Sequence, residues 1–121
     1  MAKKILIIDD EVDIIKMLAY RLKARGYIVV TTTSGKAAAG MIRDEKPDLV
    51  LLDYRIPDLN GTFVAGEMKS NKETVCIPII LITASVDNIA DKAVECRAVD
   101  YIAKPIEPEE LYEKVKKHIG E

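Results

Sequence analysis

Five short apolar runs, spaced along the chain and separated by stretches of helical periodicity, leave very few folds open to it. The runs are Ile5 to Ile8, Tyr27 to Val30, Leu49 to Leu52, Ile79 to Ile82 and Val99 to Ile102. Between and after them, apolar residues recur at helical intervals: Ile14, Leu18 and Leu22; Ala38, Met41 and Ile42; Val64 and Met68; Ala90, Ala93 and Val94; Leu111, Val115 and Ile119. Strand followed by helix, five times over, points to a parallel α/β sheet. The first, third and fourth runs are apolar throughout rather than at alternate positions. That pattern suits strands covered by helices on both faces.

Local signals place the boundaries. Asp10 is expected to cap the first helix, with Asp13 near its positive end, and Ser34 and Asp87 to cap the second and fourth. Gly26 follows the first helix, where a left-handed residue is expected. Lys46-Pro47-Asp48 stops the second helix, Pro57 to Gly61 has turn chemistry, and Pro108 suits the first turn of the last helix. Right-handed crossovers then favour a doubly wound (βα)₅ domain of flavodoxin-like type, with strand order 2-1-3-4-5 and residues 1–121 in one domain. In such a sheet, ligands bind beyond the carboxyl ends of strands one and three.

Those ends are chemically loaded. Strand one runs into Asp9-Asp10, strand three into Asp53, strand four into Thr83 and strand five into Lys104-Pro105. Taken singly, each has an ordinary explanation as a cap, a turn residue or a solvated charge. Gathered on one edge they need another, because two carboxylates about 4 Å apart repel by about 4 kcal/mol at an effective dielectric of about 20. A fold stable by only ~5–15 kcal/mol requires compensation for that repulsion. Lys104 supplies one positive charge, and Mg²⁺ with carboxylates, waters and a phosphate oxygen is the natural further source. In that setting the Asp53 carboxylate is a nucleophile toward a phosphoryl group, with Mg²⁺ on one of its oxygens, Lys104 on another, and the Thr83 hydroxyl or local backbone N–H groups on a third.

Composition removes several alternatives. The chain has 18 basic and 20 acidic residues and a net charge of -2, so nothing suggests nucleic-acid or membrane-surface binding. Its apolar runs are too short to span a bilayer, and Met1 to Lys4 do not open a signal peptide, so a cytoplasmic location is expected. Met1 reads as a natural N-terminus. Cys76 and Cys96 lack metal-ligand spacing and are expected to be reduced structural thiols. His118, the only histidine, is expected to complement the end of the last helix.

At the loaded residues the chain resembles the receiver domain of two-component response regulators. The resemblance rests on Asp9-Asp10 after strand one, the stretch Asp53-Tyr54-Arg55-Ile56-Pro57-Asp58-Leu59-Asn60-Gly61, Thr83-Ala84, and Asp100-Tyr101 leading to Lys104-Pro105. It covers essentially the whole sequence. It implies that Asp53 accepts a phosphoryl group from a histidine kinase or phosphotransfer protein. It further implies Mg²⁺ on Asp10, Asp53 and the Arg55 backbone carbonyl, with Asp9 acting through water. Lys104 is implied as the phosphoryl partner, with a cis bond to Pro105, and Thr83 and Tyr101 as switch residues. Downstream proteins are implied to dock on the face made by helix four, strand five and helix five. Arg55 and Ser85 flank the path of the hydrolytic water in this family, and Arg55 is expected to cover the phosphoryl group and tune its lifetime.

Some positions depart from the usual pattern. Ile56 stands for a frequent Met, Asn60 for a common Asp, Arg97-Ala98 for a frequent Gly-Ala and Ile106 for a common Phe. A different loop shape before strand five is the expected result. A Mg²⁺-dependent phosphatase is a rival reading, but such enzymes commonly carry a second carboxylate where this chain has Arg55. A nucleotide or flavin site is disfavoured because Asp9-Asp10-Glu11 stands where a glycine-rich loop would be. The expected role is a signalling switch, limited in chemistry to its own phosphorylation and dephosphorylation.

Overall fold

The aliphatic runs form the interior of a five-stranded parallel sheet in the order β2-β1-β3-β4-β5, as the sequence led us to expect. The computed structural model describes residues 2–85 and 87–120; the reading of Met1 lies outside them. The elements in chain order are β1 (Lys4–Ile8), α1 (Val12–Ala24), β2 (Ile28–Thr32), α2 (Gly35–Glu45), β3 (Leu49–Asp53), α3 (Gly61–Ser70), β4 (Ile79–Thr83), α4 (Ile89–Glu95), β5 (Asp100–Ala103) and α5 (Pro108–Ile119). Among the described residues, no helix is long and apolar enough to cross a membrane.

Successive side chains of a strand point to opposite faces, so each central strand feeds two cores. Ile5, Ile7, Leu49, Leu51, Ile80 and Ile82 face Leu18 and Leu22 of α1 and Leu111 and Val115 of α5. Leu6, Ile8, Val50, Leu52, Ile79 and Leu81 face Ala38 and Ile42 of α2, Val64 and Met68 of α3, and Ala93 and Cys96 near α4. The central strands are buried throughout, each large aliphatic side chain contributing about 1.5–3 kcal/mol of transfer free energy. This double coverage fixes the register, with Ile8 beside Leu52, Asp53 beside Ile82 and Thr83 beside Ala103. The strand ends therefore come level along one edge.

Several boundaries fall where the sequence placed them. Gly26 takes φ +94, with its N–H bonded to the Lys23 carbonyl and the Tyr27 N–H to the Leu22 carbonyl, which closes α1 as a Schellman motif. Ser34 caps α2 by accepting from the Ala37 N–H at 3.1 Å. Pro108 opens α5.

Others differ. The residue capping α1 is Glu11, whose side chain makes no capping bond, and Asp10 is exposed. Asp9 Oδ1 instead accepts the Glu11 N–H at 2.9 Å, so the neighbouring carboxylate does the local work. At α4 the cap is Asn88, held left-handed at φ 56, and not Asp87. Val94, expected on a buried face, is 76% exposed; in this seven-residue helix it is Ala93 that is buried against the core. Cys96 is buried, but Cys76 is exposed and packs in no core. His118 lies in the last turn of α5 and is directed at Asp100, with Nε2 2.9 Å from Oδ2. Before β5, Arg97 takes the left-handed φ of 52 that glycine adopts without strain. The Ala98 N–H bonded to the Ala93 carbonyl at 2.8 Å holds that turn in place.

Candidate functional site

Because the strands end in register, Asp9, Asp53, Thr83 and Lys104 meet at the carboxyl edge of β1, β3, β4 and β5. Asp9 and Thr83 are almost fully buried, and Asp53 is only 5% exposed. The Lys104 ammonium enters the cluster from the far strand, 2.9 Å from Asp9 Oδ2 and 3.1 Å from Asp53 Oδ2. It also reaches Glu11 Oε1 at 3.2 Å, on a side chain half exposed to solvent. The Lys104-Pro105 bond is cis, as the resemblance implied. Above these groups lies a cleft of about 430 Å³ lined by Asp10, Glu11, Asp53, Arg55, Thr83, Ala84, Ser85 and Lys104.

The electrostatics are those of crowded anions sharing one cation. Burial, and then the charge of Asp9, push the Asp53 carboxyl up from 3.8 to about 6. Lys104 and the Arg55 N–H, which donates to Asp53 Oδ1 at 3.2 Å, work in the opposite direction. Burial alone would lower Lys104, but the close Asp9 carboxylate and the charge of Asp53 outweigh it, so the ammonium is held more firmly than usual. Lys104 is therefore a fixed positive charge rather than a proton donor.

One oxygen remains underused. Asp9 Oδ2 is buried and lies near the Lys104 ammonium, yet receives no well-aligned hydrogen bond among the described residues. Asp9, Asp10 and Asp53 each place a carboxylate oxygen within 4.8 Å of the other two. An all-oxygen donor set beside an unsatisfied buried carboxylate fits a hard divalent cation, and Mg²⁺ suits it because it keeps several waters while binding few carboxylates.

The loop after β3 is held by contacts that the sequence did not disclose. Asp58 accepts from the Ser34 hydroxyl at 2.6 Å and the Gly35 N–H at 2.9 Å, binding the loop to the first turn of α2. The Ser34 hydroxyl first, and then the Gly35 and Lys36 N–H groups, hold its carboxyl down at about 2. Gly61 opens α3 against the site: a Cβ there would fall 2.6 Å from the Asp53 carbonyl oxygen. The turn composition of Pro57 to Gly61 was the only sequence signal for either contact. Glu11 was likewise visible only as a third acid after strand one.

Not every singled-out residue lines the cleft. Arg55 and Ser85 do, from the loops after β3 and β4. Tyr101 does not; it is half-buried on the edge strand β5, packed at the margin of the core beneath α4, with Lys114 bonded to its carbonyl and 5.3 Å from its ring.

The chain is similar to known proteins. The family model for the response regulator receiver domain matches residues 5–116. The chain belongs to that family. The receiver domain is 40% identical over 118 residues to the alkaline phosphatase synthesis transcriptional regulatory protein PhoP of Bacillus subtilis, covering 96% of this chain and 48% of that protein. It spans about half the length of the curated relatives it matches. Among solved structures, the receiver domain of the sensor histidine kinase PA1611 from Pseudomonas aeruginosa superposes with a TM-score of 0.91 at 25% identity, covering all of both chains. That protein holds a magnesium ion in its active-site cleft. The BeF3-activated N-terminal receiver domain of Klebsiella pneumoniae RstA gives a TM-score of 0.86 at 30% identity, covering 98% of this chain and 99% of the other. Receiver domains act as signalling switches in two-component systems, and this domain carries the acidic pocket of that family.

Proposed function

We propose that this receiver domain is a cytoplasmic, Mg²⁺-dependent phosphorylation switch whose acceptor is Asp53. The observation that carries the reading is the position of Asp53: a buried carboxylate 3.1 Å from a fixed ammonium, opening onto the cleft at the switch point of the sheet. One Asp53 oxygen attacks the phosphorus of a phosphohistidine on a histidine kinase or phosphotransfer protein. The phosphorus–oxygen bond forms as the phosphorus–nitrogen bond breaks, and the imidazole takes up a proton.

Asp10, Asp53 and the Arg55 carbonyl would hold Mg²⁺, with Asp9 binding it through water. The ion, when bound, neutralises charge on the transferring phosphoryl oxygens. Lys104 pairs with one phosphoryl oxygen and the Thr83 hydroxyl with another. Turning Thr83 and Tyr101 toward the modified site re-forms the α4–β5–α5 face, which a downstream protein reads. Arg55 and Ser85 stand on either side of the water's approach and set the lifetime of the acyl phosphate.

Intact mass after incubation with Mg²⁺ and acetyl phosphate tests the acceptor. One added phosphoryl group, absent in Asp53→Asn, is expected; turnover of varied phosphate esters without an adduct would instead favour a phosphatase. The metal ligands have their own test. Mg²⁺ is expected to raise the melting temperature by several degrees, and Asp10→Ala to abolish that rise. An equal rise in the variant would remove Asp10 from the ligand set.

A further inference from the structure

The short helix α4 is strapped to the phosphoryl site at two points. Lys92 donates to the Ser85 hydroxyl at 2.7 Å and lies 3.4 Å from the Ser85 carbonyl oxygen. Tyr54, which follows Asp53 in the chain, donates its hydroxyl to Glu95 at 2.9 Å. Lys92 and Glu95 are three residues apart and so share one side of the helix. The Lys92 ammonium also stands 5.2 Å from the Tyr54 ring centroid, within cation–π range. Both anchor points on the site side are thus close neighbours of reacting groups, Tyr54 beside Asp53 and Ser85 two residues after Thr83.

Ser85 carries the connection inward. Its N–H donates to the buried Thr83 hydroxyl oxygen at 3.1 Å, so the hydroxyl and the backbone of residue 85 are tied together. A phosphoryl group on Asp53 would present three acceptor oxygens to this wall of the cleft. For the Thr83 hydroxyl or the Ser85 N–H to turn toward them, segment 83–85 must shift. The Lys92 bond to Ser85 resists that shift, while Ala93 and Cys96 keep the helix packed on the sheet.

We propose that Lys92 is a positioning residue that holds Ser85, and through it Thr83, in the unphosphorylated arrangement, so that phosphoryl occupancy of Asp53 and the strapping of α4 oppose each other. The inference rests on the acceptor role of Asp53 proposed above. A ligand shifts such an equilibrium only by its differential affinity for the two arrangements, so loss of the strap must appear as tighter binding of the phosphoryl group. For a charge-assisted bond on a half-buried lysine, a gain of roughly three- to tenfold is expected.

Calorimetric titration of beryllofluoride, a phosphoryl mimic, into the Mg²⁺-loaded chain reads this directly. Lys92→Met is expected to bind beryllofluoride roughly three- to tenfold more tightly than the wild type. Its Kd for Mg²⁺ alone should be unchanged, and Lys92→Met should add nothing once Ser85→Ala has removed the hydroxyl. A merely structural lysine would not depend on Ser85 in this way. If the wild type binds the mimic and Lys92→Met binds it no more tightly, the positioning role is overturned and the acceptor reading stands. If the wild type binds none, or Asp53→Asn binds it equally well, the acceptor reading falls and this inference falls with it.

Discussion

In magnesium-free buffer, the contribution of Asp53 makes the chain less stable as the pH rises from about 4 to about 6, and Asp53→Asn removes that loss. The sign follows from the direction of the shift. An unfolded aspartate releases its proton near the ordinary value of 3.8, whereas the folded Asp53 keeps it until about 6. Between these values the folded state binds more protons than the unfolded one, so stability falls with rising pH. Below 3.8 both states are protonated and the full advantage is present. Above about 6 it is gone, and the buried carboxylate beside Asp9 is a net cost. A difference of about two pKa units corresponds to at most about 3 kcal/mol.

Asparagine keeps the shape and never ionises, so the variant is expected to be about 1–3 kcal/mol more stable than the wild type at pH 7.5 in EDTA. Urea unfolding midpoints of both proteins, taken from pH 4 to 7.5, measure the difference. Asp58 and Asp100 do not confuse the result, because their carboxyls are held low in the fold and their contributions change below the ordinary value. Identical pH profiles for wild type and variant would mean that Asp53 ionises without penalty. The edge would then need no metal to offset its charge.

The sheet could be read from the sequence because each central strand is buried on both faces, so composition alone marks Ile5 to Ile8, Leu49 to Leu52 and Ile79 to Ile82. Once their order was fixed, the strand ends had to align, and the meeting of Asp9, Asp53, Thr83 and Lys104 followed from backbone geometry. What could not be read depends on side-chain direction and helix placement. Choosing between Asp9 and Asp10 at the start of α1 needed the direction of one carboxylate, which adjacent positions in the chain do not reveal. Helix α4 is too short to define a period, so Val94 was assigned to the wrong side. The links from Tyr54 to Glu95, His118 to Asp100 and Asp58 to Ser34 join residues from different elements. No spacing rule reaches that far.

Replacing Lys104 should move metal binding and phosphoryl transfer in opposite directions, an outcome that separates two roles a single cation can play. In the metal-free protein its ammonium is the shared counter-charge for Asp9 and Asp53. Lys104→Met leaves two buried carboxylates without it, a change that typically costs about 3–5 kcal/mol when the remaining charge stays unpaired. Part of that cost is avoided if Asp53 takes up a proton, so its carboxyl should rise further. Mg²⁺ then enters a more negative site without competition from a fixed cation. Its affinity is expected to increase by roughly tenfold or more, since even a screened unit charge about 5 Å away is worth ~3 kcal/mol at an effective dielectric of about 20. The adduct with acetyl phosphate should nevertheless fall steeply, because the incoming dianion has lost its ammonium partner. Calorimetric Mg²⁺ titration and intact-mass yield, measured on the same preparation, test both halves. Weaker Mg²⁺ binding would show that Lys104 orders the carboxylates more than it competes for them. An undiminished adduct yield would show that it is a counter-ion only, with no part in receiving the phosphoryl group.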